Sequence, residues 1–118
     1  MHPLTIIVPV LNEADTIVDC LSHLKNSQPQ AELIVVDGGS DDDTVELAKP
    51  LADRVIRAER SRAVQMNAGA EFASADYLLF VHADTRLPNT VSAMVSAWHN
   101  DHVVWGFFPV KLSGNHWL

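Results

Sequence analysis

The sequence predicts an α/β domain built on a mainly parallel sheet. Three observations lead there: four apolar, β-branched-rich runs recur, helical patterns separate them, and the polar chemistry gathers just after the runs. Runs that are apolar throughout, with no alternation, suit strands covered on both faces. Strand and helix in regular succession then favour parallel pairing.

Taken in order, "LTIIVPV" (residues 4 to 10) predicts the first strand. "EADTIVDCLSHLK" follows as a helix with Ile17, Leu21 and Leu24 on one face and Asn12 as a capping-type residue before it. "ELIVVD" (32 to 37) is the second strand, and "DDTVELAKPLA" a short helix whose first-turn acids complement the macrodipole. "RVIRA" (54 to 58) is the third strand, and "SRAVQMNAGAEFA" repeats small and apolar residues at helical spacing. "YLLFVH" (77 to 82) is the fourth strand; after "LPNT", Val91, Met94, Val95 and Trp98 form another amphipathic stripe.

A chain of 118 residues is one small domain's worth, and no repeat, low-complexity tract or linker divides it, so residues 1–118 are expected to form one domain. Eight basic against fifteen acidic residues give a net charge of -7, which disfavours an extended nucleic-acid contact. The single cysteine, Cys20, sits among apolar residues of a predicted helix and reads as a small core hydrophobe in a reducing compartment. The N-terminal apolar run is far too short for a membrane span and lacks a basic flank or small-residue cleavage site, so it reads as a buried strand of a soluble chain.

In open parallel sheets ligands sit outside the carboxyl ends of the strands, where strand order reverses. Those ends carry "PVLNE", "DGGSDDD" and "HADT". No G-x-G-x-x-G follows the first strand, no P-loop occurs, and the aspartate cluster lacks the glycine and glutamate offsets of an EF-hand. A rim of carboxylates is left. Asp41, Asp42 and Asp43 read mainly as a helix start behind a Ser40 or Asp41 cap. Asp37 is either the start of an Asx-type turn or an acceptor beside which two glycines leave room for a planar ligand edge. Asp84 is either a turn residue or an oxygen ligand for a hard cation bridging the rim to a diphosphate. Arg60 and Arg62 are either solvated surface groups or extra positive charge for that diphosphate. His99 and His102 lack the partners of a zinc site, and His2, His23 and His116 carry no evident chemistry.

The blocks "TIIVPVLNEADTI", "IVVDGGSDDDT", "RSRAVQMNAGA" and "LLFVHADTRLP" resemble, in order and spacing, the nucleotide-sugar-binding half of family 2 glycosyltransferases, inverting enzymes of the GT-A fold. They are most similar to a bacterial subgroup whose fourth block reads H-A-D where others have D-x-D. The resemblance covers residues 4 to about 88. It implies that Pro9 shapes the donor pocket, that Glu13 lies near the nucleoside, and that Asp37 accepts a hydrogen bond from the base, typically uracil N3–H. It brings Arg62, Gln65 and Asn67 to the donor and puts His82 in place of the first acid of the common motif. Asp84 matches the last acid, the ligand of a magnesium or manganese ion on the sugar diphosphate.

The resemblance further implies a donor domain that binds a nucleotide-diphosphate sugar, a UDP-sugar in preference, and transfers the sugar to an acceptor hydroxyl. "VVWGFFPVKLSGNHWL" looks like the first strand of the acceptor half, which makes the chain short relative to full-length members and puts the catalytic base beyond residue 118. Trp105, Phe107, Phe108 and Trp117 in that stretch predict self-association. A cytoplasmic location is expected, including a peripheral position at the inner membrane face. Two other readings compete: a noncatalytic nucleotide-binding or assembly module, and a sugar-phosphate nucleotidyltransferase, for which "PVLNE" lacks the glycines and bases.

Overall fold

The computed structural model of the chain describes residues 3–83. Within them the order is β1 (Thr5–Val10), α1 (Ile17–Ser27), β2 (Glu32–Asp37), α2 (Thr44–Ala48), β3 (Arg54–Arg57), α3 (Arg62–Phe72) and β4 (Leu78–Phe80). All pairings are parallel, and the strands lie in the order β3-β2-β1-β4. This is the α/β arrangement with a parallel sheet that the four runs predicted, and it has the Rossmann-like form that the family resemblance implied. The helix expected after residue 90, the strand at 103 to 110, the aromatic C-terminal stretch and Asp84 lie outside the described residues.

Side chains alternate across the sheet, and each set finds a helix. Ile6, Val8 and Val10 of β1 and Leu33 and Val35 of β2 pack with Ile17, Cys20, Leu21 and Leu24 of α1 and with Ala48 of α2. Ile7, Ile34 and Val36 point the other way, where α3 lies; Ala68 and Ala70 pack on them. Burial on both faces explains why β1 and β2 are apolar throughout. It also explains the buried Cys20.

Beyond the two central strands the expectation of two-sided burial fails. Arg54 and Arg57 at the ends of β3 are exposed and its middle is half-buried, as on a strand paired only with β2 among the described residues. The Arg54 guanidinium lies 5.3 Å from the centre of the Phe72 ring, so the strand's charge is laid across an otherwise exposed aromatic of α3. In β4, Leu79 is buried while Phe80 is exposed.

Two caps also differ from expectation. Asn12 does not cap α1; it turns the chain with a φ of 54°, and the helix begins after Thr16. Neither Ser40 nor Asp41 caps α2, which starts after Asp43. The three residues that looked like caps belong to the connections above the sheet.

At the opposite edge, the buried Glu32 carboxylate accepts from the Thr5 hydroxyl at 2.8 Å and from the Ser74 main-chain N–H and hydroxyl at 2.9 and 3.0 Å. Thr5 in turn accepts the Ala75 N–H at 3.3 Å. These bonds tie the α3–β4 connection to the sheet and set the register in which Thr5 stands opposite Leu78. β4 thereby runs beside β1 toward the other rim.

Candidate functional site at the switch point of the sheet

From β1 the chain moves outward to β2 and β3 on one side, and β4 is added on the other side of β1. Strand order therefore reverses between β1 and β4, where an open parallel sheet leaves a crevice. A cleft of about 310 Å³ lies there. Pro9, Leu11 and Glu13 line it from β1 and the loop after it, Arg60 from the loop before α3, Arg62 and Gln65 from the first turn of α3, and His82 from the chain beyond β4. Five of the expected donor-site residues, Pro9, Glu13, Arg62, Gln65 and His82, are thus brought together.

The β1–α1 and β2–α2 connections are laced to each other. Asn12 N–H donates to Ser40 Oγ at 2.8 Å, Asp41 N–H to Asn12 Oδ1 at 2.8 Å, Glu13 N–H to Thr44 Oγ1 at 2.8 Å and Ala14 N–H to Asp42 Oδ2 at 3.2 Å. Asp42 also accepts the Thr44 N–H at 3.0 Å and its hydroxyl. The Thr44 bond holds the Asp42 carboxyl below its ordinary pKa, against the smaller opposing effect of burial. The aspartates of "DGGSDDD" thus include a clasp that secures Glu13's loop beside the cleft.

Asp37 ends β2 opposite Val10 and is only 3% exposed. Oδ2 accepts the N–H groups of Gly39 and Ser40 at 2.9 and 3.0 Å, and Oδ1 accepts the Ser40 hydroxyl. The Asx-type turn is therefore formed. These bonds use three of the roughly four lone-pair directions that a carboxylate offers, and Asp37 is not itself part of the cleft lining. The glycines serve the backbone more than a ligand: Gly39 has a φ of 100°, and the space over Gly38 is filled by Gln65, 3.0 Å from where a Cβ would stand.

Gln65 is 6% exposed. Its Nε2 donates to the carbonyls of Val10 and Val36, both at 3.0 Å, while Gly38 N–H also reaches Val10 O at 3.0 Å. Both amide hydrogens are used in joining α3 to the ends of β1 and β2, so any contact with a donor falls to its Oε1. Asn67 is exposed on α3 and is not part of the cleft lining.

Arg60 and Arg62 bring two guanidinium groups to the cleft, which Glu13 and His82 also line. Arg60 Nη2 donates to Gly39 O at 3.3 Å, bridging α3's approach to the Asp37 turn. Arg62 is half-buried, and burial pushes its guanidinium below the ordinary pKa. The sequence reading missed Asn12 and Ser40 as parts of the site. Asn12's clue was its place just before the helical pattern, a position that also suits a left-handed turn residue.

The family model for Glycosyl transferase family 2 matches residues 5–117. The chain belongs to this family. A mycobacterial family relative, the PGL/p-HBAD biosynthesis glycosyltransferase of Mycobacterium bovis, is 30% identical over 126 residues, covering 96% of this chain and 49% of the relative. The uncharacterized glycosyltransferase YibD of Escherichia coli is 32% identical over 97 residues, covering 76% of this chain and 28% of its own length. The family 2 chain thus spans about half the length of the first relative, and less of the second. Among solved structures, S. aureus TarS 1-349 aligns with a TM-score of 0.69 at 24% identity, over 86% of this chain and 33% of TarS. The mannosyltransferase PcManGT from Pyrobaculum calidifontis aligns with a TM-score of 0.61 at 26% identity, over 74% of this chain and 30% of its own. These likenesses carry the GT-A fold.

Proposed function

We propose that the chain is the donor-binding part of an inverting glycosyltransferase, which holds a nucleotide-diphosphate sugar in the β1/β4 cleft and passes the sugar to an acceptor hydroxyl. The observation that carries this is the cleft itself: it lies at the switch point and gathers Pro9, Glu13, Arg62, Gln65 and His82. Its about 310 Å³ is at the lower end of the range for small-molecule sites. Support comes also from neighbours of the same fold: PcManGT was solved with GDP-Man and Mn2+, and TarS with UDP.

In the proposed complex Asp37 takes an N–H of the base on its remaining acceptor position, and Arg62 with Arg60 faces the diphosphate. A divalent cation, magnesium or manganese, fits the donor chemistry of this rim, since one carboxylate together with diphosphate oxygens is a usual ligand set for a hard ion. Asp84, two positions after the cleft residue His82, would supply that carboxylate. The ion supplies neutralisation of the departing diphosphate. The chain's own groups do the rest: the Asp37 turn orients the nucleoside, and the guanidinium groups draw the phosphates into the cleft.

Calorimetric titration with UDP, GDP and their sugars, with manganese and then with chelator, tests the proposal. Metal-dependent binding of one nucleotide class is expected. Absence of binding for all of them would remove it.

A further inference from the structure

Ser40 occupies a position that fixes the direction of its single hydrogen. The main-chain N–H of Asn12, 2.8 Å from Ser40 Oγ, can only donate, whereas the Asp37 carboxylate can only accept. The hydroxyl hydrogen therefore stays on Ser40 Oγ and points at Asp37 Oδ1. That direction depends on Asn12, whose N–H meets Ser40 Oγ and whose own Oδ1 is anchored by Asp41 N–H at 2.8 Å.

The two oxygens of Asp37 consequently differ. Oδ2 is filled by two main-chain donors of the turn, and Oδ1 carries the Ser40 bond alone. Rotation of the carboxyl group about its terminal torsion is held at one end by backbone and at the other by Ser40. Such torsions are otherwise broad.

We propose that Ser40, directed by the Asn12 N–H, is a positioning residue that locks the Asp37 carboxylate as an acceptor for a base with an N–H on its pairing edge. This deepens the donor-site proposal and rests on the base-contact role given there to Asp37. Uracil meets the requirement; cytosine presents a lone pair at the same place and meets repulsion. With the hydroxyl gone, the carboxyl group turns and a bound water takes the second acceptor position, so discrimination falls more than affinity for the preferred base.

The test compares UDP with CDP, in the presence of manganese, on the 118-residue chain as wild type and as Asp37→Asn, Ser40→Ala and Ser40→Thr. Wild type is expected to favour UDP, and Ser40→Ala to cut the UDP:CDP affinity ratio about tenfold, the size of one hydrogen bond to a charged group. Ser40→Thr, which keeps the hydroxyl, is expected to restore it. A ratio unchanged in Ser40→Ala but lost in Asp37→Asn would overturn the role of Ser40 and leave that of Asp37. Equal loss for both nucleotides in Ser40→Ala would overturn it too, as a purely structural effect. A ratio insensitive to Asp37→Asn would remove both roles. Ser40→Cys, similar in shape with a weak donor, carries the same comparison where the alanine variant fails to fold.

Discussion

Gly69 and Ile7 stand so close that a Cβ on the glycine would lie 2.5 Å from Ile7 Cγ2. α3 can rest on the centre of the sheet only because this position has no side chain, and that contact sets the height of Gln65 one turn earlier. Gly69→Ala is expected to destabilise the chain by about 1 to 3 kcal/mol through overpacking against a buried β-branched residue. The gain of about 1 kcal/mol in helix propensity acts in the opposite direction. Urea unfolding measures the net effect; a rise in stability would mean that α3 lifts away from the sheet without penalty.

Gln65 offers a second test of the same junction. Gln65→Leu keeps an apolar volume but removes both 3.0 Å bonds by which α3 holds Val10 O and Val36 O. A loss of about 1 to 3 kcal/mol is expected, the scale of two buried hydrogen bonds removed from the junction. Gln65→Glu should lose more, because a carboxylate oxygen then faces two carbonyls. Equal stability of the two variants would argue against the amide as the fastener.

Much of the fold was legible in the residues that form it. The runs at 4 to 10 and 32 to 37 became β1 and β2 because central strands are buried on both sides, the one environment that leaves such a run. The run at 54 to 58 was read as covered on both faces like the others, but Arg54 and Arg57 at its ends are exposed, as on a strand paired only with β2 among the described residues. In the site, chemistry on strand ends was legible, whereas side-chain partners were not. Gln65 binds carbonyls 55 and 29 positions away, and Asn12 meets Ser40 across 28. Contacts of that separation leave no periodic trace in a single sequence.

The clasp between the two loops should respond to acid. The Asp42 carboxyl is held below its ordinary value of 3.8 mainly by the Thr44 hydroxyl. A depressed folded-state pKa means that the carboxylate adds stability above the unfolded pKa, and that this is lost as pH falls through the folded value. The window therefore begins near 3.8 and extends downward. NMR titration should find Asp42 below that value in wild type and shifted upward in Thr44→Val. An unmoved titration in the variant would remove Thr44 as the cause.

Metal dependence should reside in Asp84. With Asp84→Ala, manganese is expected to add little to the affinity for UDP, whereas in wild type chelation should remove most of the binding. The comparison is made by calorimetry with and without chelator. Retention of the full manganese effect in the variant would place the ion elsewhere.

The two arginines of the cleft should differ in weight, because their surroundings differ. Arg60 is exposed and already spends one nitrogen on Gly39 O, so water and salt screen it and a phosphate gains little from it. Arg62 is half-buried at the start of α3, where its charge is less screened and the helix N-terminus adds positive potential. Arg62→Gln is therefore expected to weaken UDP binding about tenfold, the scale of a hydrogen bond to a charged group. Arg60→Gln should weaken it about twofold or less, as for an exposed ion pair. Raising salt should erode the Arg60 contribution first, since a fully solvated charge is the more easily screened. Affinities of both variants at two ionic strengths decide the matter. Equal losses would mean that the diphosphate sits nearer the Gly39 turn than the start of α3, and a larger loss for Arg60 would reverse the proposed placement.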